Sequence, residues 1–113
     1  DRVQALRNAG ASVREHGTDR VDIAAAMTAL EADGVDRILV EGGGEVIYSC
    51  FEAGIVDELR VFIGPIVIGG AEAPTLADGV GFTDPDRFPT LHRQAVTPLD
   101  DGVLMEWTVA TTE

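Results

Sequence analysis

The sequence contains no lysine. Its cations are eight arginines, set against twenty aspartates and glutamates, for a formal charge of -12. Without lysine there is no Schiff-base nucleophile and no Walker-type phosphate loop. Nucleic acid is bound through clustered cations that displace counterions, and these arginines are scattered, so no nucleic-acid partner is expected. Cysteine is almost as scarce. Cys50 stands alone and cannot form an internal disulfide, and with only His16 and His92 far from it there is no ligand spacing for zinc, so no metal is expected. Long apolar runs are missing too: none approaches the roughly eighteen residues of a spanning helix, and no basic, apolar and small-residue leader opens the chain. These absences predict a soluble, cytoplasmic protein with no membrane partner.

What remains is 113 residues with 45% hydrophobic content, which suits one globular domain over residues 1–113. So acidic a surface repels itself in dilute buffer, whereas at molar salt the Debye length falls to about 3 Å and the repulsion is muted. A halophilic source is one reading of this composition. An arginine bias from a GC-rich genome in an ordinary acidic protein is the other.

Arg37-Ile38-Leu39-Val40-Glu41-Gly42-Gly43-Gly44-Glu45-Val46-Ile47-Tyr48 carries the most information. An apolar run stops at three glycines and restarts at helical spacing, which predicts strand, tight turn and helix. Residues without Cβ let the backbone approach a ligand closely, and the first N–H groups of the helix point the same way as the positive end of its dipole. A phosphate or diphosphate would suit this turn, although a purely structural tight turn has the same composition. Glu41 closes a predicted central strand at its carboxyl end, where open α/β sheets bind ligands. It would either accept donors from a polar ligand or cap a neighbouring loop. Glu45, just inside the helix, is expected to point outward.

The remaining pattern predicts an α/β layer with a mixed sheet whose parallel part comes first. Residues 1 to 9 resemble the tail of a helix, and 11–15 a short strand. Asp22 reads as the N-cap of a helix bearing Ile23, Ala26, Met27 and Leu30 on one face, stopped by Gly34. Ile38 to Val40 reads as a covered central strand, followed by a helix with Val46, Ile47, Cys50 and Phe51 on one face. Leu59, Val61 and Ile63 alternate along a strand that breaks at Gly64-Pro65, where a bulge or an edge is expected. Residues 69–90 read as a long functional or mobile loop. A hairpin of 91–97 and 103–111 turns about Asp100-Asp101-Gly102. Ser49 has no nucleophile elbow around it, and Trp107 alternates with Val and Met as packing.

Val40-Glu41-Gly42-Gly43-Gly44, then Val56-Asp57-Glu58-Leu59, Gly64-Pro65-Ile66-Val67-Ile68-Gly69-Gly70 and Ala73-Pro74-Thr75-Leu76 closely resemble the carboxyl-terminal half of the riboflavin-biosynthesis reductases. That family includes the bacterial bifunctional deaminase-reductases and the archaeal diaminopyrimidine ribosylamine phosphate reductases. The resemblance spans roughly residues 11 to 80 and implies a dihydrofolate reductase-like fold, of which this would be the C-terminal half and thus a partial reductase domain. It further implies NADPH-dependent reduction of the ribosyl group of a pyrimidine ribosylamine 5′-phosphate to ribityl, with hydride delivered to C1′. By the same resemblance Gly42, Gly43, Gly44, Glu45 and Val46 would hold the NADPH diphosphate, Glu41 would bind the small-molecule substrate near its reacting end, and the protein would be a homodimer. Two other readings use the same residues: a dihydrofolate or pterin reductase-like enzyme, and a nucleotide-binding half-domain without turnover. Dihydrofolate reductases usually carry an apolar residue where Glu41 stands, which separates the first of these.

Overall fold

A computed structural model describes residues 1–111. They form two compact units, Asp1–Ile38 and the residues from Leu39 onward.

The first unit holds two helices, α1 (Arg2–Asn8) and α2 (Ile23–Ala32). In α1 the Asp1 carboxylate accepts from the Val3 N–H at 3.0 Å. Asp22 caps α2 as expected, accepting from the Ala25 N–H at 2.9 Å. The four predicted apolar positions of α2, Ile23, Ala26, Met27 and Leu30, are half-buried, as amphipathic spacing requires. The helix stops where Gly34 takes φ +90°. There the Gly34 N–H bonds the Glu31 carbonyl and the Val35 N–H bonds the Leu30 carbonyl, which is the Schellman pattern. The same pair of bonds ends α1 and, in the second unit, α3. Arg14 reaches from the segment after α1 to an ion pair with Asp33, at the end of α2.

The second unit contains α3 (Gly44–Glu52), β1 (Glu58–Ile63), a 3-10 turn at Pro85–Arg87, β2 (Leu91–Leu99) and β3 (Gly102–Val109). The strands make one antiparallel sheet in the order β1-β3-β2. Its register opposes Leu59 to Trp107, Val61 to Met105 and Ile63 to Val103, so the alternating residues of β1 share one face with those of β3. The opposite face is charged, and Arg60 reaches across the ladder to Glu106 at 2.9 Å. The hairpin connection is shorter than the sequence suggests, with Leu99 paired to Gly102 and Asp100 at φ 50°, a conformation its short polar side chain tolerates. The Phe62 ring lies over Gly102, where a Cβ would meet it at 2.4 Å.

Some expectations are corrected. Residues 11–15 and Ile38 to Val40 are not strands, and the sheet has no parallel part among the described residues. The reason is that a strand exists only where a ladder partner supplies its hydrogen bonds, and among the described residues no ladder pairs with either segment. Leu39, predicted to be covered, is 78% exposed. The sheet's irregularity falls at Gln94, between Arg93 and Ala95, and β1 simply ends before Gly64-Pro65, as the edge-strand alternative predicts. Finally, α3 buries Tyr48 and Cys50, at 6% and 2% exposure, while Val46 faces out.

Candidate functional site

The glycine turn and helix α3 belong to the second unit, and each of the three glycines has a different reason to lack a side chain. Gly42 takes φ +124°, which disfavours any L side chain, and its peptide bond to Gly43 is cis. Gly44 is the first residue of α3. A Cβ there would meet the Asp78 carboxylate at 2.2 Å and the Thr75 carbonyl at 2.9 Å, so the chain's own packing requires glycine. Gly43 is the N-cap, with φ −75° and ψ −171°, values open to any residue. A Cβ on Gly43 would meet nothing within 4 Å. Glycine is a common N-cap residue, and with no side chain of its own Gly43 leaves room for a ligand to approach the turn closely.

The helix begins without a side-chain cap, since Gly43 has no side chain to offer. A helix's first N–H groups lack an i−4 carbonyl, and here they follow a turn with open space beside it. That combination fits a diphosphate, whose oxygens accept from backbone donors at the positive end of the dipole. Glu45 and Val46 are exposed at this end. Glu41 precedes the turn and is exposed, and its side chain makes no hydrogen bond or ion pair among the described residues.

Sequence reasoning missed the neighbour of this turn. Asp78, thirty-four residues after Gly44, donates its N–H to the Gly44 carbonyl at 3.0 Å. Its Oδ1 accepts from the Thr75 N–H at 2.9 Å and from the Thr75 hydroxyl at 2.7 Å. Those two bonds favour the ionised carboxylate and hold Asp78 below the usual aspartate range, against a smaller opposing effect of burial. The signal available was Thr75-Leu76-Ala77-Asp78, a polar pair at turn spacing. Tyr48 is the other anchor. Its hydroxyl donates to the Gly81 carbonyl at 3.1 Å, and burial, then the adjacent Glu52 carboxylate, push the phenol above its ordinary value, so it keeps that proton at neutral pH.

The side chains available for other chemistry are otherwise engaged. The Ser49 hydroxyl donates to the Glu45 carbonyl of its own helix at 2.9 Å. Cys50 is buried, and burial pushes its thiol up, away from the reactive thiolate. His16 and His92 lie in different units, on the segment before α2 and on β2.

Comparison with known proteins decides the family. The RibD C-terminal domain family matches residues 1–105. The chain belongs to that family. Relatives include the 2,5-diamino-6-ribosylamino-4(3H)-pyrimidinone 5′-phosphate reductase of Methanothermobacter thermautotrophicus, 37% identical over 109 residues that cover 96% of this chain and 50% of the relative. The enzyme of the same name from Archaeoglobus fulgidus is 41% identical over 83 residues, covering 74% of this chain and 38% of the relative. Among solved structures, a pyrimidine reductase-like protein from Corynebacterium diphtheriae superposes with a TM-score of 0.82 at 25% identity, over 98% of this chain and 44% of that one. RibD from Acinetobacter baumannii gives 0.74 at 17% identity, over 95% of this chain and 29% of that one, a likeness of fold alone. The fold class read from the sequence, α/β of the dihydrofolate reductase-like kind with a C-terminal hairpin, thus holds for this RibD C-terminal domain. The chain spans half the length of these two archaeal relatives or less.

The depressed Asp78 carboxyl has a defined pH consequence. A folded-state pKa below the unfolded one means that the group's stabilising contribution is fully present above the unfolded value and is lost as pH falls through the folded one. In a carboxyl-detected NMR titration, Asp78 is expected to titrate below the ordinary aspartate value, and Thr75→Val to move its midpoint up towards it. A wild-type midpoint at or above the ordinary value would contradict the assignment.

Proposed function

We propose that this chain is the coenzyme-binding half of a reductase domain of riboflavin biosynthesis. The reaction is reduction of the ribosyl group of a pyrimidine ribosylamine 5′-phosphate to ribityl, with NADPH as coenzyme. The observation that carries the reading is Gly43, a side-chain-free N-cap that leaves open space beside the first amides of α3. It lies in a chain whose relatives are named for that reduction.

Gly42, Gly43 and Gly44 let the backbone come close to the coenzyme diphosphate, and the N–H groups of Glu45 and Val46 continue the same surface. When bound, the nicotinamide supplies the hydride, to C1′ of the ring-opened sugar. Hydride transfer needs orientation above all, so the work of these residues is to hold one reactant still. Glu41 binds the substrate near its reacting end, where an exposed carboxylate can accept donors from a sugar or an aminopyrimidine. The 113 residues act as one partial reductase domain, in the cytoplasm, and a homodimer gives the exposed edges of β1 and β2 a partner. The acidic, lysine-free composition is adapted to salt.

Two measurements test these statements. In the complete protein, Gly43→Val is expected to raise the NADPH dissociation constant at least about tenfold, equivalent to ~1.4 kcal/mol, because a branched side chain would enter the ligand's space. Glu41→Gln should leave NADPH affinity unchanged and lower turnover of the ribosylamine phosphate, followed by NADPH absorbance. An unaltered rate for Glu41→Gln would return Glu41 to a structural role, and consumption of dihydrofolate in place of the ribosylamine would favour the pterin reductase reading. The second measurement is thermal: Tm should rise as KCl goes from dilute to molar, and a fall would remove the salt adaptation.

A further inference from the structure

Residues 75–82 run along helix α3 and are fastened to it at two heights. At the first turn, the Asp78 N–H bonds the Gly44 carbonyl, and the Asp78 carboxylate stands where a side chain on residue 44 would go. Thr75 holds that carboxylate with two donors on Oδ1. One turn further along, the Tyr48 hydroxyl bonds the Gly81 carbonyl, and the Tyr48 and Phe82 rings lie 5.3 Å apart at 55°. Between them Gly79 passes so close that a Cβ there would meet the Tyr48 ring at 2.4 Å. This middle part of the loop expected over 69–90 is therefore strapped along the helix. Its first attachment lies on the residue that follows Gly43.

An acidic side chain in this place raises a question of sign. A carboxylate beside a diphosphate site weakens anion binding through its charge. If Asp78 acted through charge alone, the site would be better without it. Its geometry offers a different role: two donors from Thr75 fix the carboxylate, and the Asp78 backbone in turn fixes the Gly44 carbonyl, whose peptide plane leads into the first amides of α3. We propose that Asp78 is a positioning residue for the coenzyme site, acting through Gly44 to fix the direction in which the amides after the glycine turn face a bound diphosphate; the proposal rests on the coenzyme reading above.

Charge and position make opposite predictions, which allows a test in the complete protein with NADPH as the probe. Asp78→Ala removes both the charge and the clamp, and is expected to raise the NADPH dissociation constant and KM about tenfold, the scale of losing hydrogen bonds to a charged group. The kcat at saturating coenzyme should stay within about twofold, since only coenzyme seating is disturbed. Asp78→Asn removes the charge but keeps an oxygen for both Thr75 donors, so its affinity should equal or exceed the wild-type value. Thr75→Val, lacking the hydroxyl donor, should shift affinity in the direction of Asp78→Ala but less far. Should Asp78→Ala fail to fold, the opposed directions of Asp78→Asn and Thr75→Val carry the same test. Wild-type or tighter NADPH binding by Asp78→Ala would overturn the proposal, as would equal weakening by Asp78→Ala and Asp78→Asn. Gly43→Val measured in parallel separates the two levels. If it too leaves affinity intact, the coenzyme reading fails and takes this proposal with it; if it weakens binding while Asp78→Ala does not, positioning by Asp78 alone is overturned.

Discussion

The second unit is organised around the glycine turn at the start of helix α3. Helix α3 opens at the last of three glycines, two of which the chain itself requires, through backbone conformation at Gly42 and through the Asp78 carboxylate and Thr75 carbonyl at Gly44. At Gly43 a Cβ would meet nothing within 4 Å, and the coenzyme proposed above is what would use that space. The rest of the unit supports this arrangement. Tyr48 and Cys50 are the buried residues of the helix, and residues 75–82 are tied to it at Gly44 and Tyr48. Backbone amides are useful to a ligand only when their direction is fixed, and the packing around α3 supplies that rigidity.

Much of the local structure was legible in the sequence because it depends on neighbours in the chain. The Asp22 cap, the Gly34 stop and the alternation along β1 involve residues within a few positions of one another, and short-range chemistry decides them. The hairpin around Asp100 was legible for the same reason. The family resemblance, read from Val40 to Gly44 and the Gly64 to Gly70 stretch among others, agrees with the family match over residues 1–105.

What was not legible depends on distant partners. Ile38 to Val40 has the composition of a covered strand, but composition cannot provide a neighbouring ladder, and Leu39 stands exposed. Val67, at 99% exposure, is in the same position. Such apolar segments suit a larger core than the described residues contain, in keeping with a chain that spans half the length of its archaeal relatives or less. Within the site, the contact of Asp78 with Gly44 was missed because no short-range pattern links a loop aspartate to a helix thirty-four residues earlier. The bulge at Gln94 was missed because it is a property of the pairing with β3 and not of β2 alone.

The account stands on a nicotinamide dinucleotide resting against the glycine turn. Its most direct test is an amide-resolved NMR titration of the complete protein with NADPH. The largest shifts are expected at the amides of Gly43 to Val46, with Asp78 following through its bond to Gly44. Saturable binding that leaves those amides unmoved while another region responds would contradict it.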